Sequence, residues 1–338
     1  MTDRGVRPLA IMLVLQLVLV SGLLTWAAVG FPLPSALTGP GHSTTTSSSA
    51  AAGAGGGRAP AAGLPIASSS DLAPTPTVNR FDGTRAFALL REQVQKYGWR
   101  PAGSASLRRL AVRLRSLLPR ARFEPLPGQP GLRNIVGSLP GRGPAILVGA
   151  HYDVESAPEG FVGANDGAAG SAAVVYVARA LARARRVKTD RAVRFVLFDG
   201  EEEPAGCQPF LSCGVRGSKA YAKRHAPEIQ SMVLLDYIAE KHGLHFPREG
   251  GSNPALWEQL RTAANEAGVG SLFSSDVSGQ ILDDHTPFTQ RGVPAIDIID
   301  FDYPPRDTLQ DTIDKVSPRS LDAVGETVVR LVSRLRRG

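Results

Sequence analysis

The sequence is poor in cysteine and in aromatic residues, and it has one long run that is both uncharged and apolar. Its two cysteines, Cys207 and Cys213, stand six positions apart. They could close a small disulfide loop if the domain is exported. A cysteine metal site is the weaker interpretation, because there is neither a Cys-x-x-Cys motif nor a second pair nearby. The single apolar run excludes a membrane protein with several spans.

Composition and charge also exclude fibrous and nucleic-acid-binding classes. Hydrophobic residues make up 43% of the chain and charged residues 20%, which is typical of a globular domain and unlike collagen, a coiled coil or a wholly disordered chain. The net charge is +7, but the arginines are scattered along predicted helices, as at Arg108, Arg109 and Arg113, and are not interleaved with aromatic residues. We therefore expect a basic, solvated surface and no nucleic-acid partner.

The apolar run spans residues 9–31 and is preceded by Arg4 and Arg7. About 20 apolar residues suffice for a helix to cross a bilayer, and the preceding arginines favour a cytoplasmic N-terminus. We expect a transmembrane signal-anchor in the cell membrane with the rest of the chain extracytoplasmic. The small residues Ala27 and Ala28 leave open a cleaved signal peptide and hence secretion.

These features divide the chain into four parts. Residues 1–8 are expected to be the cytoplasmic N-terminus and residues 9–31 the membrane segment. Residues 32–78 are rich in Ser, Thr, Gly, Ala and Pro, a composition that cannot bury enough apolar surface to fold and so predicts a disordered tether. The folded domain is expected at residues 79–338.

Apolar strands alternate with helices along that domain. Strands are predicted at 134–139, 145–150, 192–198, 232–235 and 295–299, and helices at 84–97, 106–117, 170–183, 218–224, 254–267 and 318–335. Such alternation predicts an α/β fold with a largely parallel sheet covered by helices on both faces. Active sites of such folds collect where strands end and loops begin.

Acidic and histidine residues follow the predicted strands or open a helix. In chain order they are His151, Asp166, Glu201 with Glu202, Asp236, Asp283 and Asp307. Each has an ordinary explanation by itself: Asp166, for example, could cap the helix that follows it. Asp153 could orient His151, and the adjacent Glu201 and Glu202 could divide metal ligation from proton transfer. Together the residues predict a pocket of carboxylates that a divalent cation would neutralise.

Five motifs in this order resemble the zinc-dependent aminopeptidase and glutaminyl cyclase superfamily. They are HYD at 151–153, GANDGAAG at 163–170, FVLFDGEE at 195–202, LLDYI at 234–238 and DDHTPFTQRGVPA at 283–295. The resemblance covers the domain from about residue 100 to its end. It implies a three-layer α/β/α sandwich with a mixed, mostly parallel sheet, and an enzyme that acts on the N-termini of peptides or proteins.

The resemblance also implies a role for each predicted site residue. In the two-metal aminopeptidases the matching positions place His151, Asp166 and Asp236 at one zinc ion and Asp166 with Glu202 at the other. In the cyclases a single zinc ion occupies the site matched by Asp166 and Glu202. Glu201 matches the general base, and in the cyclases Asp236 and Asp283 belong to its proton-handling network.

The sequence departs from the family at its last metal ligand. Arg306-Asp307-Thr308 stands where the family has Trp-His-Thr, and Asp297 stands where the cyclases have a histidine. The expected third ligand is therefore Asp307, or there is none, and an all-oxygen set with Asp307 would suit a harder divalent metal than zinc as well. A weakened homologue that only binds peptides is one reading of these changes.

The doubled aspartate of Asp283-Asp284-His285 is a cyclase feature, because the aminopeptidases usually carry Ser-Asp-His there. The resemblance thus favours a glutaminyl-peptide cyclotransferase, which would convert an N-terminal glutamine to pyroglutamate and release ammonia. A zinc-dependent aminopeptidase of the same superfamily is the alternative.

Overall fold

The computed structural model describes residues 72–185 and 187–337 of this 338-residue chain. The predicted membrane segment at 9–31 and the predicted tether as far as residue 71 lie outside the described residues. Within the described ranges, no helix combines the length and the hydropathy needed to cross a bilayer.

Eight strands are found in the described part of the chain. They are β1 Arg122–Pro125, β2 Arg133–Leu139, β3 Arg142–His151, β4 Arg191–Phe198, β5 Ile229–Asp236, β6 Phe246–Arg248, β7 Phe273–Val277 and β8 Ala295–Ile299. Six of them form a sheet in the order β1-β2-β4-β3-β5-β8. The pairs β4–β3, β3–β5 and β5–β8 are parallel, whereas β1–β2 and β2–β4 are antiparallel. The predicted α/β fold with a mixed, mostly parallel sheet is thereby confirmed.

Helices connect these strands. They are α1 Gly83–Glu92, α2 Ala105–Leu117, α3 Ala168–Arg183, α4 Phe210–Cys213, α5 Arg216–His225, α6 Pro254–Ala267, α7 Thr286–Thr289 and α8 Pro318–Leu335. A π-helical turn at Gln93–Tyr97 extends α1 as far as Gly98, which has a positive φ of 59°. Several helices start at side-chain caps, such as Ser104 for α2 and Asn253 for α6, which satisfy free N–H groups of the first turn.

The sheet has an apolar cluster on each face. One face packs residues such as Ile146, Val148 and Phe195 against the helices α1, α2, α3, α6 and α8. The other face packs Leu147 and Phe198, among others, against α5 and α7. Successive side chains of a buried strand point to opposite faces, so two helical layers enclose the sheet as a three-layer sandwich.

The chain segment before α1 packs on the domain. Ala73 is buried, and Thr77 donates its backbone N–H to the carbonyl of Ala267 at 2.9 Å. Farther along, the backbone N–H of Phe81 donates to the carboxylate of Glu326 in α8 at 2.7 Å. The last residues of the predicted 32–78 tether therefore lie against the domain.

Candidate active site

The predicted site residues lie at the carboxyl edge of the parallel strands. His151 is the last residue of β3, and Asp236 is the last residue of β5. Glu201 and Glu202 follow β4, and Asp166 lies in the turn that leads into α3. Parallel strands bring such residues to one edge of the sheet. The sequence expectation that distant acids meet there agrees with their positions.

His151 lies at the centre of this group. Its Nε2 atom is 3.2 Å from Asp166 Oδ1 and 3.3 Å from Asp236 Oδ1. Although burial lowers the pKa of His151, the carboxylates of Asp236 and Asp166 raise the pKa well above its ordinary value overall. His151 Nδ1 is buried and has no hydrogen-bond partner.

Asp153 positions the two glutamates rather than His151. Its carboxylate accepts the backbone N–H groups of Glu201 at 3.2 Å and Glu202 at 3.3 Å. Since its oxygens are used in this way, Asp153 Oδ1 remains 3.9 Å from His151 Nδ1 and does not orient the ring as the His-x-Asp spacing predicts. Arg216 fixes the same turn by donating to the carbonyl of Glu202 at 2.7 Å.

The Asp311 side chain stabilises the turn that carries Asp166. The Asp311 carboxylate accepts the backbone N–H of Asn165 at 2.9 Å and that of Asp166 at 3.0 Å. It also accepts the hydroxyl of Tyr303 at 2.8 Å. The next residue, Gly167, has a φ of +77°, and a Cβ there would lie 2.5 Å from the Asp153 carbonyl oxygen. Only glycine fits at this position of the turn. The side chain of the preceding residue, Asp166, contacts His151.

Tyr237 lies between Asp166 and Asp307. Its hydroxyl oxygen is 2.8 Å from Asp166 Oδ2 and 2.9 Å from Asp307 Oδ1, so its single proton is donated to one of two competing carboxylates. Asp307 also pairs with Arg306 at 2.6 Å. Tyr237 and Asp307 both have positive φ, 45° and 57°, a backbone strain that is common at functional sites.

The same residues line one cavity of about 380 Å³. Its polar wall contains every predicted site residue apart from His151, namely Asp166, Glu201, Glu202, Asp236, Asp283 and Asp307. Its apolar wall includes Phe210, Ile281 and Phe301, and the guanidinium of Arg306 lies 3.9 Å from the centre of the Phe301 ring. The cavity therefore has an acidic wall next to an apolar wall.

Two sets of donors in this cavity are close enough to hold a divalent cation. His151, Asp166 and Asp236 form one set, and His151, Glu201 and Glu202 form the other. Within each set the ligand atoms lie within 4.8 Å of one another, and all five residues are buried. Asp307 belongs to neither set, so its predicted role as a ligand remains a prediction.

Burial and mutual repulsion raise the pKa of several of these acids. Burial raises the pKa of Asp236 to about 7, although His151 opposes the shift. Burial, and then the charge of Asp283, raises the pKa of Glu201 well above its ordinary value. Asp166 is the exception, because its contacts with His151 outweigh burial and lower its pKa. A cation would relieve this repulsion, so the donor set fits a divalent metal such as zinc.

Sequence reasoning missed three residues that shape the site. Tyr237 follows Asp236 directly and could have been found from its place at a strand end. Asp311 holds the Asp166 turn across a long stretch of chain, for which the sequence carries no signal. Glu155 lines the cavity, and burial with the nearby charge of Asp166 raises its pKa to about 7.

The chain is similar in sequence to a family of known proteins. A sequence profile of peptidase family M28 matches residues 134–332. The glutaminyl-peptide cyclotransferase-like protein of Mus musculus is 30% identical over 205 residues, which are 51% of this chain and 52% of that protein. Aminopeptidase YwaD of Bacillus subtilis (strain 168) is 26% identical over 202 residues, which are 55% of this chain and 40% of that protein. The chain thus spans about half the length of the curated relatives it matches.

Solved structures give the same picture over a larger share of the chain. The glutaminyl cyclase of an Acidobacteriales bacterium superposes with a TM-score of 0.66 and 25% sequence identity. The match covers 84% of this chain and 100% of that one.

Proposed function

Because the chain belongs to peptidase family M28, we propose that it is a zinc-dependent glutaminyl-peptide cyclotransferase. It would convert the N-terminal glutamine of a peptide or protein to pyroglutamate and release ammonia. The observation that carries the proposal is a buried group of acids, Glu201 with Asp236 and Asp283, which lines the same cavity as Asp166 and Glu202. Similarity to a cyclotransferase-like protein and to a solved cyclase supports it.

Asp166 and Glu202, whose side chains interact, would hold the zinc ion, and His151 belongs to a donor set with each of them. Asp307 is a further candidate ligand, and a harder divalent ion is the alternative if it joins the set. When bound, the ion would polarise the side-chain amide carbonyl of the substrate as a Lewis acid.

The chain's own groups would move the proton. Glu201 would accept a proton from the α-amine as that amine attacks the amide carbon, and would return it to the departing ammonia. Its raised pKa suits a group that must both accept and give up a proton near neutral pH. Asp236 and Asp283 would hold the amine in place, and the apolar wall around Phe210 and Ile281 would limit access of water.

An aminopeptidase of the same family is the second candidate. The set His151, Asp166 and Asp236 favours it, because it provides a second place for a metal ion. The similarity to an aminopeptidase of Bacillus subtilis supports it as well. In this reaction Glu201 would take a proton from the attacking water instead of from the substrate amine.

The products distinguish these functions. The full chain is incubated with zinc and a peptide that begins with glutamine, and ammonia and free amino acids are measured in parallel. Ammonia together with a pyroglutamyl peptide is expected. Free amino acids would indicate the peptidase, and saturable binding of peptide with neither product would indicate a homologue that only binds.

A change at Glu201 tests the mechanism. In Glu201→Gln we expect kcat to fall by roughly 10²–10⁴-fold, the usual contribution of a general acid–base residue. Zinc content should stay unchanged, since Asp166 and Glu202 remain. Glu258→Gln on the exposed face of α6 is the matched control and should retain wild-type turnover. A Glu201→Gln variant with full turnover would remove this residue from the mechanism.

We further propose that the domain works outside the cytoplasm, anchored by residues 9–31 or secreted after their removal. The uncharged run with Arg4 and Arg7 before it supports this placement. The Cys207–Cys213 disulfide supports it too, because such bonds persist mainly in oxidising compartments. Cell fractionation with protease accessibility of the domain tests it, and a domain protected inside the cytoplasm would contradict it.

A further inference from the structure

A second buried cluster lies next to the active-site cavity and shares Asp283 with the cavity wall. Asp283, His285 and Asp297 each offer a ligand atom, and these atoms lie within 4.8 Å of one another. Asp283 and His285 belong to the turn that opens α7, and Asp297 lies in β8, in register with Leu234 of β5. This cluster shares no residue with the two sets around His151.

The polar atoms of this cluster lack partners. Asp297 is 0% exposed, and no donor bonds to its carboxylate apart from a proton that it would share with Asp283. Asp283 Oδ2 and His285 Nδ1 are also buried and unpartnered. A buried polar group left unsatisfied costs about 1–3 kcal/mol, and more if it is charged. Even with a proton shared between Asp283 and Asp297, His285 Nδ1 stays unpartnered, which points to a missing ligand.

Glu249 determines which nitrogen of His285 faces the cluster. Glu249 Oε1 accepts the backbone N–H of Gly251 at 2.6 Å and that of Ile281 at 2.8 Å. Its other oxygen lies 3.3 Å from His285 Nε2. A carboxylate in this position keeps the proton on Nε2, as is usual for histidines that bind metal through the other nitrogen. The Nδ1 lone pair then faces Asp297 Oδ2 at 3.5 Å.

A doubly protonated His285 does not account for this geometry. Charge-assisted N–H···O bonds are about 2.7–2.9 Å long, whereas the contact between His285 Nδ1 and Asp297 Oδ2 is 3.5 Å.

We infer that Asp283, His285 and Asp297 bind a second divalent cation of the zinc class, separate from the ion in the cavity. Carboxylate oxygens and imidazole nitrogens are both zinc ligands, with bonds of about 2.0–2.2 Å. Ligand atoms on one tetrahedral ion with such bonds lie about 3.4 Å apart, and those of the three residues lie within 4.8 Å of one another. The ion would fix the orientation of Asp283, which lines the cavity, and would not itself touch substrate.

The zinc content of the full chain, measured by mass spectrometry after removal of free zinc, tests this site. The variant Asp166→Asn/Glu202→Gln removes donors of the cavity, and we expect about one zinc ion per chain to remain. Asp297→Asn should hold one zinc ion fewer than the wild type, and the combined variant should hold none. Asp276→Asn, an exposed acid on β7, is the control and should match the wild type.

Anomalous diffraction at the zinc edge locates the ion in the wild-type chain, so the test does not depend on a variant that folds. A peak between Asp283, His285 and Asp297 is expected. A folded Asp166→Asn/Glu202→Gln variant without zinc, or a map without that peak, would overturn the inference. The variant could retain zinc while the wild type releases no ammonia. That pair of results would contradict the proposed function and would still support the second metal site.

Discussion

At the scale of single residues, Tyr237 links the candidate metal donor Asp166 to Asp307. One hydroxyl proton serves two carboxylates at 2.8 and 2.9 Å, and Arg306 adds a positive charge to Asp307 from the other side. Burial raises the pKa of Asp307, while Arg306 and Tyr237 oppose the shift. The geometry makes Tyr237 a positioning residue for Asp166.

Removing the Tyr237 hydroxyl should weaken metal binding in the cavity. In Tyr237→Phe we expect zinc affinity, measured by isothermal titration, to fall about 10–100-fold, the usual effect of losing a partner of a metal ligand. Tyr176→Phe, in the aromatic pair with Phe81, is the control and should bind zinc like the wild type. If Asp307 is itself a ligand, Asp307→Ala will lower the affinity far more than Tyr237→Phe does.

At the scale of elements, the site depends on turns that long-range contacts hold in place. The turn before α3 rests on Asp311, and the segment after β4 carries the Cys207–Cys213 disulfide, which confirms the small-loop interpretation of the two cysteines. Phe210, inside that loop, forms part of the apolar wall of the cavity. The stability of each of these two segments therefore affects the shape of the cavity.

Loss of the Asp311 carboxylate should loosen the Asp166 turn. Asp311→Ala leaves the N–H groups of Asn165 and Asp166 and the Tyr303 hydroxyl without their acceptor. We expect the free energy of unfolding in urea to fall by about 1–3 kcal/mol, and zinc affinity to fall with it. Asp314→Ala, exposed in the same loop, should stay within about 0.5 kcal/mol of wild type. Equal effects of the two changes would contradict a specific role for Asp311.

Opening the disulfide should cost stability and disturb the cavity wall. For a loop of six residues, chain entropy gives roughly 2 kcal/mol of stabilisation. Cys207→Ser/Cys213→Ser should lose about that amount in urea unfolding and should show a higher KM, because Phe210 is held less firmly. Reducing agent should destabilise the wild type by a similar amount and leave the double variant unchanged. Reductant sensitivity in the double variant would point to some other cause.

At the scale of the whole molecule, an acidic cavity is set in a basic protein. The chain carries a net charge of +7, yet the cavity collects six predicted site carboxylates. Clefts of one charge sign concentrate ligands of the opposite sign. The cavity therefore favours a metal cation and the protonated amine of a peptide N-terminus.

The carboxyl groups crowded in this cavity make the stability of the metal-free chain depend on pH. Burial raises the pKa of both Asp236 and Glu155 to about 7, well above the ordinary values of 3.8 and 4.5. Groups shifted in this direction stabilise the fold below their unfolded pKa, and this stability is lost as pH rises towards 7. Without metal, the chain should melt at a lower temperature at pH 8 than at pH 5.5.

Added zinc should reverse this trend, because it replaces the protons that are lost. At a concentration of 100 times its dissociation constant an ion adds about 2.7 kcal/mol, which is roughly 5–10 °C in Tm for a domain of this size. We expect that gain at pH 8 and a smaller one at pH 5.5, measured by thermal melts after chelation. Asp236→Asn should flatten the metal-free pH profile. Equal zinc shifts at both pH values would contradict the linkage.

Local pattern determined most of the secondary structure. The buried strand predicted at 145–150 is observed as Arg142–His151, and the helix predicted at 254–267 is observed with those bounds. The short strands β1, β6 and β7 escaped prediction, because three to five residues at an edge, as in the half-exposed β1, carry no hydrophobic period.

The sequence by itself determined the α/β architecture and the edge of the sheet where the acids gather, because both follow from short-range periodicity and from the parallel order of strands. Only the tertiary structure decided which atoms meet. The shared proton of Tyr237, the hold of Asp311 on the Asp166 turn and the position of Glu249 behind His285 join residues far apart in the chain. Their contacts depend on side-chain directions that packing fixes and that no local pattern encodes.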